Sequence, residues 1–411
     1  MSYSKDNFAW LGTIPDHWQV SKLRQILSPF SEKNHPDMPL LSVVREKGVI
    51  IRNVESKEEN HNYVPDDLSN YKLVKQGQFT MNKMKAWQGS YGVSKYDGIV
   101  SPAYFVFNLK CDINRDFFNA AIRSKAYVNY FGQASDGIRV GQWDLSMARM
   151  KDIPLLVPPR EEQDQIVRFL DWKVSNINKL IRIRKRQIEE LEAIKRSSIG
   201  YLVMGQAQSI PQRDTEVNWV KTIPAHWNEK TLIQVAEEQQ IKNAGMVEDN
   251  LLSLSYGKII NKDINTTDGL LPSSFEGYQI VHDGNIILRL TDLQNDHKSL
   301  RTGLVTQTGI ITSAYTCLKV RHNILPEYLQ LQLHVADLCK VFYGMGGGVR
   351  QSIGFTEIRK LVIAIPPVEE QQYILDRVHG IEKPINCAIQ NIRDIIAGLE
   401  DLKTRLISDA V

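Results

Sequence analysis

The chain carries two sequence motifs, and each of them occurs twice. The first motif, Trp10–Trp18, contains Ile-Pro-x-His-Trp and returns as Trp219–Trp227, a displacement of 209 residues. The second motif, Pro-Pro-x-Glu-Glu-Gln, ends at Gln163 and again at Gln371, a displacement of 208 residues. Nearly equal displacements indicate that whole domains are duplicated, in contrast to the short units of a solenoid. The duplication predicts two similar folded halves, and the residues that differ between them predict two different targets.

Between the two motifs, weaker matches link the two copies at similar displacements. Tyr71–Gly77 corresponds to Tyr278–Gly284, and Gly98–Tyr104 corresponds to Gly309–Tyr315. A chain of 411 residues also exceeds the size at which a single hydrophobic core keeps growing. We therefore expect two domains of ordinary size.

The composition limits the class of protein and the kind of partner. A hydrophobic content of 42% and a charged content of 24% are typical of a soluble globular protein. No apolar run approaches the roughly 20 residues of a transmembrane helix, and the first residues lack the pattern of a signal peptide, which favours the cytoplasm and no membrane partner. Lys+Arg 50 and Asp+Glu 47 leave a net charge of only +3, so local patches must bind any anionic partner.

Signatures of catalysis or metal binding are absent from the sequence. The cysteines form no Cys-x-x-Cys pair, so we expect neither a zinc site nor a disulfide framework from Cys111, Cys317, Cys339 and Cys387. Phosphate-binding, nucleophile-elbow and His-Glu-x-x-His motifs are also missing. His17 and His226 occupy equivalent positions and could form a pair of bases, but the tryptophan that follows each of them favours a structural role.

Each repeat is predicted to be an α+β domain followed by a long helix. Short β-branched or aromatic runs bounded by turn residues predict strands at Leu40–Val44, Gly48–Ile51, Gln78–Met81 and Ile99–Leu109, and in the second copy at Leu251–Leu254, Gly257–Ile260, Asn285–Leu288 and Ile310–Val320. Apolar residues at spacings of three and four predict one helix over Asn114–Tyr130 and one over Leu325–Val341.

The clearest helices follow Pro159 and Pro367, because paired glutamates in a first turn favour a helix start. Apolar residues then recur as a coiled-coil seam, strongly after Pro367 and more weakly after Pro159. An internal pseudo-two-fold relation favours antiparallel pairing of the two helices, with a parallel pair or an intermolecular coil as alternatives. Gly380 and Pro384 fall within the second seam, where the proline should kink or delay the helix.

Two pairs of corresponding loops mix basic, amide and aromatic side chains. The first pair is Asn82–Tyr91 with Arg289–Asn295, and the second is Ser135–Trp143 with Gly346–Ser352. Arginine, asparagine and glutamine can recognise base edges, while lysine binds phosphate. An ordinary solvated surface is the alternative, but an arginine retained between unlike neighbours favours recognition. We therefore predict DNA contacts from Lys83, Lys85, Gln88, Tyr91, Arg139, Gln142, Arg289, Gln294, Asn295, Arg350 and Gln351.

The duplicated Ile-Pro-x-His-Trp and Pro-Pro-x-Glu-Glu-Gln motifs resemble those of the DNA-specificity subunit of type I restriction-modification systems, over essentially the whole chain. The resemblance implies an α+β protein whose two similar target-recognition domains are separated by a pair of long conserved helices that form an antiparallel coiled coil. It places the first target-recognition domain at residues 1–159, the central spacer helix at 160–205, the second domain at 206–367 and the C-terminal spacer helix at 368–411.

The same resemblance implies a non-catalytic subunit that binds double-stranded DNA at a bipartite asymmetric site. Its implied partners are two modification (methyltransferase) subunits and the restriction (endonuclease and translocase) subunits. S-adenosylmethionine, ATP and magnesium would belong to those partners, and this chain would hold no cofactor and no metal. Two alternatives stay open: a self-sufficient DNA-modifying enzyme with an unrecognised active site, and a coiled-coil scaffold that does not bind DNA.

Overall fold

The computed structural model describes residues 14–45, 47–53, 64–110, 112–137, 143–206, 210–264, 274–293, 300–321, 323–345 and 353–411. The chain divides into two compact units. Unit 1 comprises residues 1–185 and 393–411, and unit 2 comprises residues 186–392. Two long helices, Arg160–Val203 and Val368–Ala410, contribute residues to both units.

Unit 1 contains a four-stranded antiparallel sheet. The strands of the unit are β1 (Gln19–Lys22), β2 (Leu27–Phe30), β3 (Leu41–Val44), β4 (Gly48–Ile51), β5 (Lys72–Val74), β6 (Phe79–Asn82), β7 (Tyr91–Val93), β8 (Gly98–Val100), β9 (Tyr104–Leu109), β10 (Ser135–Asp136), β11 (Asp144–Leu145) and β12 (Pro154–Val157). Its helices are α1 (Leu23–Ile26), α2 (Arg115–Ile122), α3 (Lys125–Gln133), α4 (Met147–Lys151) and the start of α5 (Arg160–Val203). The sheet order is β2-β9-β6-β7, and β1–β12, β3–β4, β5–β8 and β10–β11 form separate pairs.

The core of unit 1 is rich in phenylalanine. Phe79 and Phe107 of the sheet belong to the same buried cluster as Phe117 and Phe118 of α2 and Phe131 of α3. The rings of Phe79 and Phe118 meet edge to face with centroids 5.3 Å apart, an arrangement that aromatic pairs favour. The two helices therefore pack on one face of the four-stranded sheet.

Unit 2 repeats this arrangement. Its strands are β13 (Gln212–Asp214), β14 (Thr222–Pro224), β15 (Asn228–Thr231), β16 (Ala236–Glu238), β17 (Ile241–Lys242), β18 (Leu252–Ser255), β19 (Lys258–Asn261), β20 (Gln279–Val281), β21 (Ile286–Leu288), β22 (Thr302–Leu304), β23 (Gly309–Ile311), β24 (Thr316–Val320) and β25 (Val362–Ile365). Its helices are α6 (Leu232–Val235), α7 (Pro326–Leu338), α8 (Phe355–Ile358) and the start of α9 (Val368–Ala410). The sheet order β16-β24-β21-β22 matches β2-β9-β6-β7 strand for strand, which confirms two similar α+β folds.

Two features of the repeats differ from the sequence prediction. The runs Ile99–Leu109 and Ile310–Val320 each form two strands, because turns closed by hydrogen bonds from Tyr104 N to Ser101 O and from Tyr315 N to Thr312 O interrupt them. The predicted helix Asn114–Tyr130 is two helices, α2 and α3. Its break lies at Ser124, whose backbone is extended, and serine favours helix caps over helix interiors.

The long helices run antiparallel within each unit. In unit 1, Ile166 and Val167 pack on the same core as Val411, while Lys403 Nζ donates to Asn178 Oδ1 at 3.2 Å. Residue numbers thus rise along α5 as they fall along α9. In unit 2, Lys195 Nζ donates to Asn386 Oδ1 at 3.0 Å, and the core includes Ile199, Leu202 and Val203 of α5 with Ile374, Leu375 and Val378 of α9.

Pro384 lies inside α9 and neither delays nor ends it. The helix begins at Val368, as the glutamate pair predicts, and continues to Ala410. A proline removes the hydrogen bond to the carbonyl four residues earlier and crowds that carbonyl. Here that residue is Gly380, and the helix is continuous through both positions.

Candidate nucleic-acid interface

In each unit the two duplicated motifs contact one another. In unit 1, His17 Nε2 lies 2.7 Å from Glu162 Oε2, and the Trp18 indole donates to Glu162 Oε1 at 3.0 Å. In unit 2, His226 Nε2 lies 2.7 Å from Glu370 Oε2. Strands β1 and β12, and likewise β15 and β25, pair along the residues next to these contacts. Both histidines therefore join the first motif to the first turn of a long helix, which supports the structural role favoured by the sequence.

A buried glutamine follows each of these glutamates. Gln163 accepts a hydrogen bond from Asn114 N at 2.8 Å and donates to the carbonyl of the first proline of its motif at 2.8 Å. Gln371 accepts from Leu325 N at 2.8 Å and donates to the equivalent proline carbonyl at 2.9 Å. Asn114 and Leu325 are the N-caps of α2 and α7. Each motif thus fixes the long helix against the helix that covers the sheet.

The two loops predicted to recognise DNA in unit 1 meet at their bases. Leu145 N donates to Lys83 O at 3.1 Å, and Lys83 Nζ lies 3.0 Å from Asp144 Oδ2. The rings of Trp87 and Trp143 have centroids 5.0 Å apart. The loop after β6 and the segment that leads into β11 therefore form one surface.

The predicted contact residues of unit 1 have different environments. Lys85 is exposed, and Lys83 and Gln88 are partly exposed, so all three remain candidates. Tyr91 is fully buried, with its ring centroid 4.4 Å from that of Phe131, and burial raises the pKa of its hydroxyl. The predicted DNA contact of Tyr91 is therefore wrong, because its ring fills the core at the start of β7. Two further candidates, Arg139 and Gln142, lie outside the described residues.

Unit 2 joins the corresponding loops in the same way. Ile353 N donates to Leu290 O at 3.0 Å, at the position equivalent to the hydrogen bond between Leu145 and Lys83. Arg289 follows β21 and is partly exposed, with its backbone bonded to Arg301. The remaining candidates of this unit lie outside the described residues, namely Gln294, Asn295, Arg350 and Gln351.

The fully buried side chain of Arg301 binds backbone carbonyls at the start of the loop after β21. Its Nη1 donates to Arg289 O at 3.1 Å and to Thr291 O at 2.8 Å, and its Nε donates to Tyr343 Oη at 3.0 Å. Asp337 Oδ2 accepts a hydrogen bond from the Arg301 backbone at 2.8 Å. A buried guanidinium is stable when carbonyls and a hydroxyl satisfy its donors in this way. Unit 1 has Ser90 at the equivalent place and an aromatic core instead.

Sequence reasoning missed a basic surface beside the loop of unit 1. Lys72 Nζ donates to Tyr104 O at 2.7 Å, and Lys33 pairs with Lys72 through a β-bridge. Tyr104 pairs across the sheet with Asn82, the residue before Lys83, so the segments that carry Lys33, Lys72 and Lys83 are neighbours. Burial lowers the pKa of Lys72, and the positive charges of Lys33 and Lys83 lower it further. The sequence contained a signal for this surface: in the match between Tyr71–Gly77 and Tyr278–Gly284, the residue equivalent to Lys72 is the neutral Gln279.

Comparison with known proteins agrees with this architecture. A family model described as the type I restriction modification DNA specificity domain matches residues 15–193 and 301–396, more than half of the chain. The chain belongs to this specificity-domain family. A curated relative, the putative type I restriction enzyme MjaX specificity subunit of Methanocaldococcus jannaschii, is 21% identical over 408 residues, which cover 92% of this chain and 91% of the relative.

Solved structures are similar to this specificity-domain chain in fold. A chain from work on complex assembly and conformational transition of the type I R-M system has a TM-score of 0.66 and 14% identity, with 97% of this chain and 98% of that chain covered. The HsdS subunit from Thermoanaerobacter tengcongensis has a TM-score of 0.47 and 15% identity, with 97% of each chain covered. In the part of the chain that the structure describes, no helix is long and apolar enough to cross a membrane.

Proposed function

We propose that this chain is the non-catalytic specificity subunit of a cytoplasmic type I restriction-modification complex and that it binds a bipartite, asymmetric site in duplex DNA. The observation that carries the proposal is the repeated pairing of loops. Hydrogen bonds from Leu145 to Lys83 and from Ile353 to Leu290 hold corresponding loops together, while the side chains on the loops differ. One scaffold with two unlike surfaces suits the recognition of two different half-sites.

The chemistry of these loops supports contact with nucleic acid. Unit 1 presents Lys83, Lys85 and Gln88 next to the paired rings of Trp87 and Trp143, and unit 2 presents Arg289. Lysine binds phosphate and positions a protein on DNA, whereas arginine and glutamine can form paired hydrogen bonds with base edges. A net charge of +3 makes such local groups the main attraction for the phosphate backbone.

The start of α5 supports docking of a helical partner subunit. Phe169, Trp172, Leu180 and Ile183 are 44% to 61% exposed. At 100° per residue they fall within about 80° of the helix circumference. A different stripe, which includes Leu170, Ile177 and Ile181, is buried. Exposed aromatic and aliphatic side chains in one stripe are typical of a surface that a partner covers. We assign this stripe to the modification subunits.

Under this proposal the chemistry belongs to the partners. Two modification subunits would bring S-adenosylmethionine and methylate adenine, and the restriction subunits would bring ATP-driven translocation and magnesium-dependent cleavage. Among the described residues, no group of three or more His, Cys, Asp or Glu side chains is arranged to hold a metal ion. The chain itself would supply the choice of sequence and the docking surface.

Methylation mapping in cells tests the two-half-site proposal. Replacing the loop residues Lys83, Lys85 and Gln88 with alanine should change or abolish recognition of one half-site, and Arg289→Ala should affect the other. The measurement is the genome-wide distribution of N6-methyladenine in cells with the complete system and with each variant. If both sets of changes alter the same half-site, the assignment of one half-site to each unit is refuted.

Two further measurements separate this proposal from its alternatives. Methyl transfer to DNA by the purified chain alone, with labelled S-adenosylmethionine and magnesium, would favour a self-sufficient enzyme. Failure of the purified chain and of its complex with modification subunits to bind duplex DNA would favour a scaffold. For the docking surface, Trp172→Glu should prevent co-purification with modification subunits, while Arg186→Glu, at an exposed position on the same helix, should not.

A further inference from the structure

The strongest unexplained feature of unit 1 is the cluster of Lys33, Lys72 and Lys83, which we call the three-lysine cluster. Lys33 and Lys72 lie on adjacent segments joined by a β-bridge, and Lys83 begins the loop after β6. The Lys72 side chain is partly buried, and its pKa is lowered by burial and then by the charges of Lys33 and Lys83. The carbonyl that Lys72 binds belongs to Tyr104, which pairs with Asn82, the residue before Lys83. Like charges on neighbouring segments repel one another in the free protein, and a bound anion would relieve the repulsion.

The fold does not require a charge at Lys72. In unit 1, Lys72 Nζ donates to the carbonyl of Tyr104 at 2.7 Å. In unit 2, Gln279 Nε2 donates to the carbonyl of Tyr315, the equivalent residue, at 2.6 Å. A neutral amide therefore makes the same structural hydrogen bond in the second copy. The position equivalent to Lys83 is likewise neutral, because Leu290 occupies it.

Nearby carboxylates neutralise the cluster only in part. Lys83 Nζ lies 3.0 Å from Asp144 Oδ2, and the side chains of the pair are 34% and 57% exposed. An exposed ion pair contributes little free energy, so a phosphate oxygen can compete with Asp144. Glu32 lies near Lys75, with 3.7 Å between Nζ and Oε2, and also contacts His35. Among the described residues Lys72 has no carboxylate partner; its Nζ donates to the neutral Tyr104 carbonyl and lies 5.9 Å from the centroid of the Phe105 ring.

We propose that the three-lysine cluster is a binding site for a backbone phosphate of duplex DNA in unit 1, and that unit 2 lacks this site at the equivalent position. The proposal rests on the proposed function and deepens it. Because lysine contacts with phosphate carry no sequence information, the cluster would set affinity and position while the adjoining loops choose bases. DNA binding by unit 1 would then weaken more steeply with rising salt concentration than DNA binding by unit 2.

The matched substitution is Lys72→Gln, which copies the residue used in unit 2. It removes one charge and retains a donor for the Tyr104 carbonyl, so the thermal unfolding midpoint should not fall. Lys33→Gln removes a second charge at an exposed position. Lys95→Gln is the control. Lys95 is exposed and follows the end of β7 that pairs with Phe79, the first residue of β6. Lys83 follows the last residue of β6, so the two lysines lie at opposite ends of this strand pair.

Binding of the full chain to duplex DNA is measured by fluorescence anisotropy over a range of potassium chloride concentrations. A lost phosphate contact should reduce the slope of log K against log salt by about 0.9 in magnitude. We expect this reduction, with weaker binding to all sequences, for Lys72→Gln and for Lys33→Gln. Lys95→Gln should retain the slope of the original protein.

The possible results distinguish failure of the proposed phosphate site from failure of the proposed function. If the original chain binds duplex DNA but Lys72→Gln and Lys33→Gln keep its slope, the phosphate site is refuted and the proposed function stands. If the original chain does not bind duplex DNA, both proposals are overturned. Equal slope changes in Lys95→Gln and Lys72→Gln would show a general effect of charge and also reject a local site. Preferential binding of single-stranded RNA over the duplex would contradict the stated ligand.

Discussion

Gln371→Leu tests whether the second motif holds unit 2 together. The substitution removes the hydrogen bonds to Leu325 N and to the Pro366 carbonyl, at 2.8 Å and 2.9 Å, from a side chain that is 0% exposed. Leaving a buried donor or acceptor without a partner costs about 1 to 3 kcal/mol, and leucine recovers part of this through its apolar surface. We expect unit 2 to lose about 2 to 4 kcal/mol of unfolding free energy.

Urea denaturation followed by circular dichroism gives the change in unfolding free energy. Hydrogen exchange locates it, because protection should fall first in peptides that cover the start of α7 and the end of β25. Gln372→Leu is the matched control, since this neighbouring side chain is exposed and its one hydrogen bond within the described residues goes to Asp376 on the same helix. Surface changes of this kind are usually within about 0.5 kcal/mol.

The duplication provides an independent check. Gln163→Leu should destabilise unit 1 by a similar amount, because Gln163 makes the equivalent two hydrogen bonds and is 2% exposed. Equal effects of Gln371→Leu and Gln372→Leu would refute the reasoning. So would a large loss of stability without increased exchange at the start of α7.

Three further predictions concern single side chains. Burial and the charge of Lys195 lower the pKa of His334 from 6.5 to about 4. The unfolded chain therefore binds a proton at higher pH than the folded chain, and the unfolding free energy should fall as pH falls from about 6.5 to about 4. In urea titrations, His334→Gln should reduce this pH-dependent loss by about 1 to 3 kcal/mol. Pro384→Ala should restore the hydrogen bond to Gly380 O and raise the unfolding free energy by about 1 to 3 kcal/mol. Arg301→Lys should cost about 2 to 4 kcal/mol and increase hydrogen exchange in the loop after β21, because an ammonium cannot reach all the acceptors.

Each of these predictions has a control and a contradicting result. An unchanged pH profile in His334→Gln would show that the imidazole does not titrate differently on folding. Gly398→Ala lies in open space on the same helix as Pro384 and should stabilise by only about 1 kcal/mol. A Pro384→Ala variant no more stable than the original protein would contradict the proline effect. Arg321→Lys, at an exposed ion pair, should have little effect, and a similar cost there would contradict the role of Arg301.

Local patterns in the sequence predicted much of the fold. The displacement of the motifs predicted two similar domains, and β2-β9-β6-β7 and β16-β24-β21-β22 have the same strand order. The proline and glutamate pairs predicted the starts of both long helices, and the apolar seams predicted their pairing. These features depend on residues near one another in the chain, so spacing and periodicity reveal them.

Tertiary structure decided which distant residues meet and which aromatic side chains are buried. Nothing local distinguishes Tyr91, which lies in the core, from Trp87, which packs on Trp143 beside a loop. The contacts of His17 with Glu162 and of Lys72 with Tyr104 join segments that are far apart in sequence. Burial and like-charge repulsion arise only when the sheet brings such segments together, because both depend on distance in space. The sequence by itself determined the duplication and the starts of the two long helices, and the folded sheets decided which of the basic and aromatic residues face solvent.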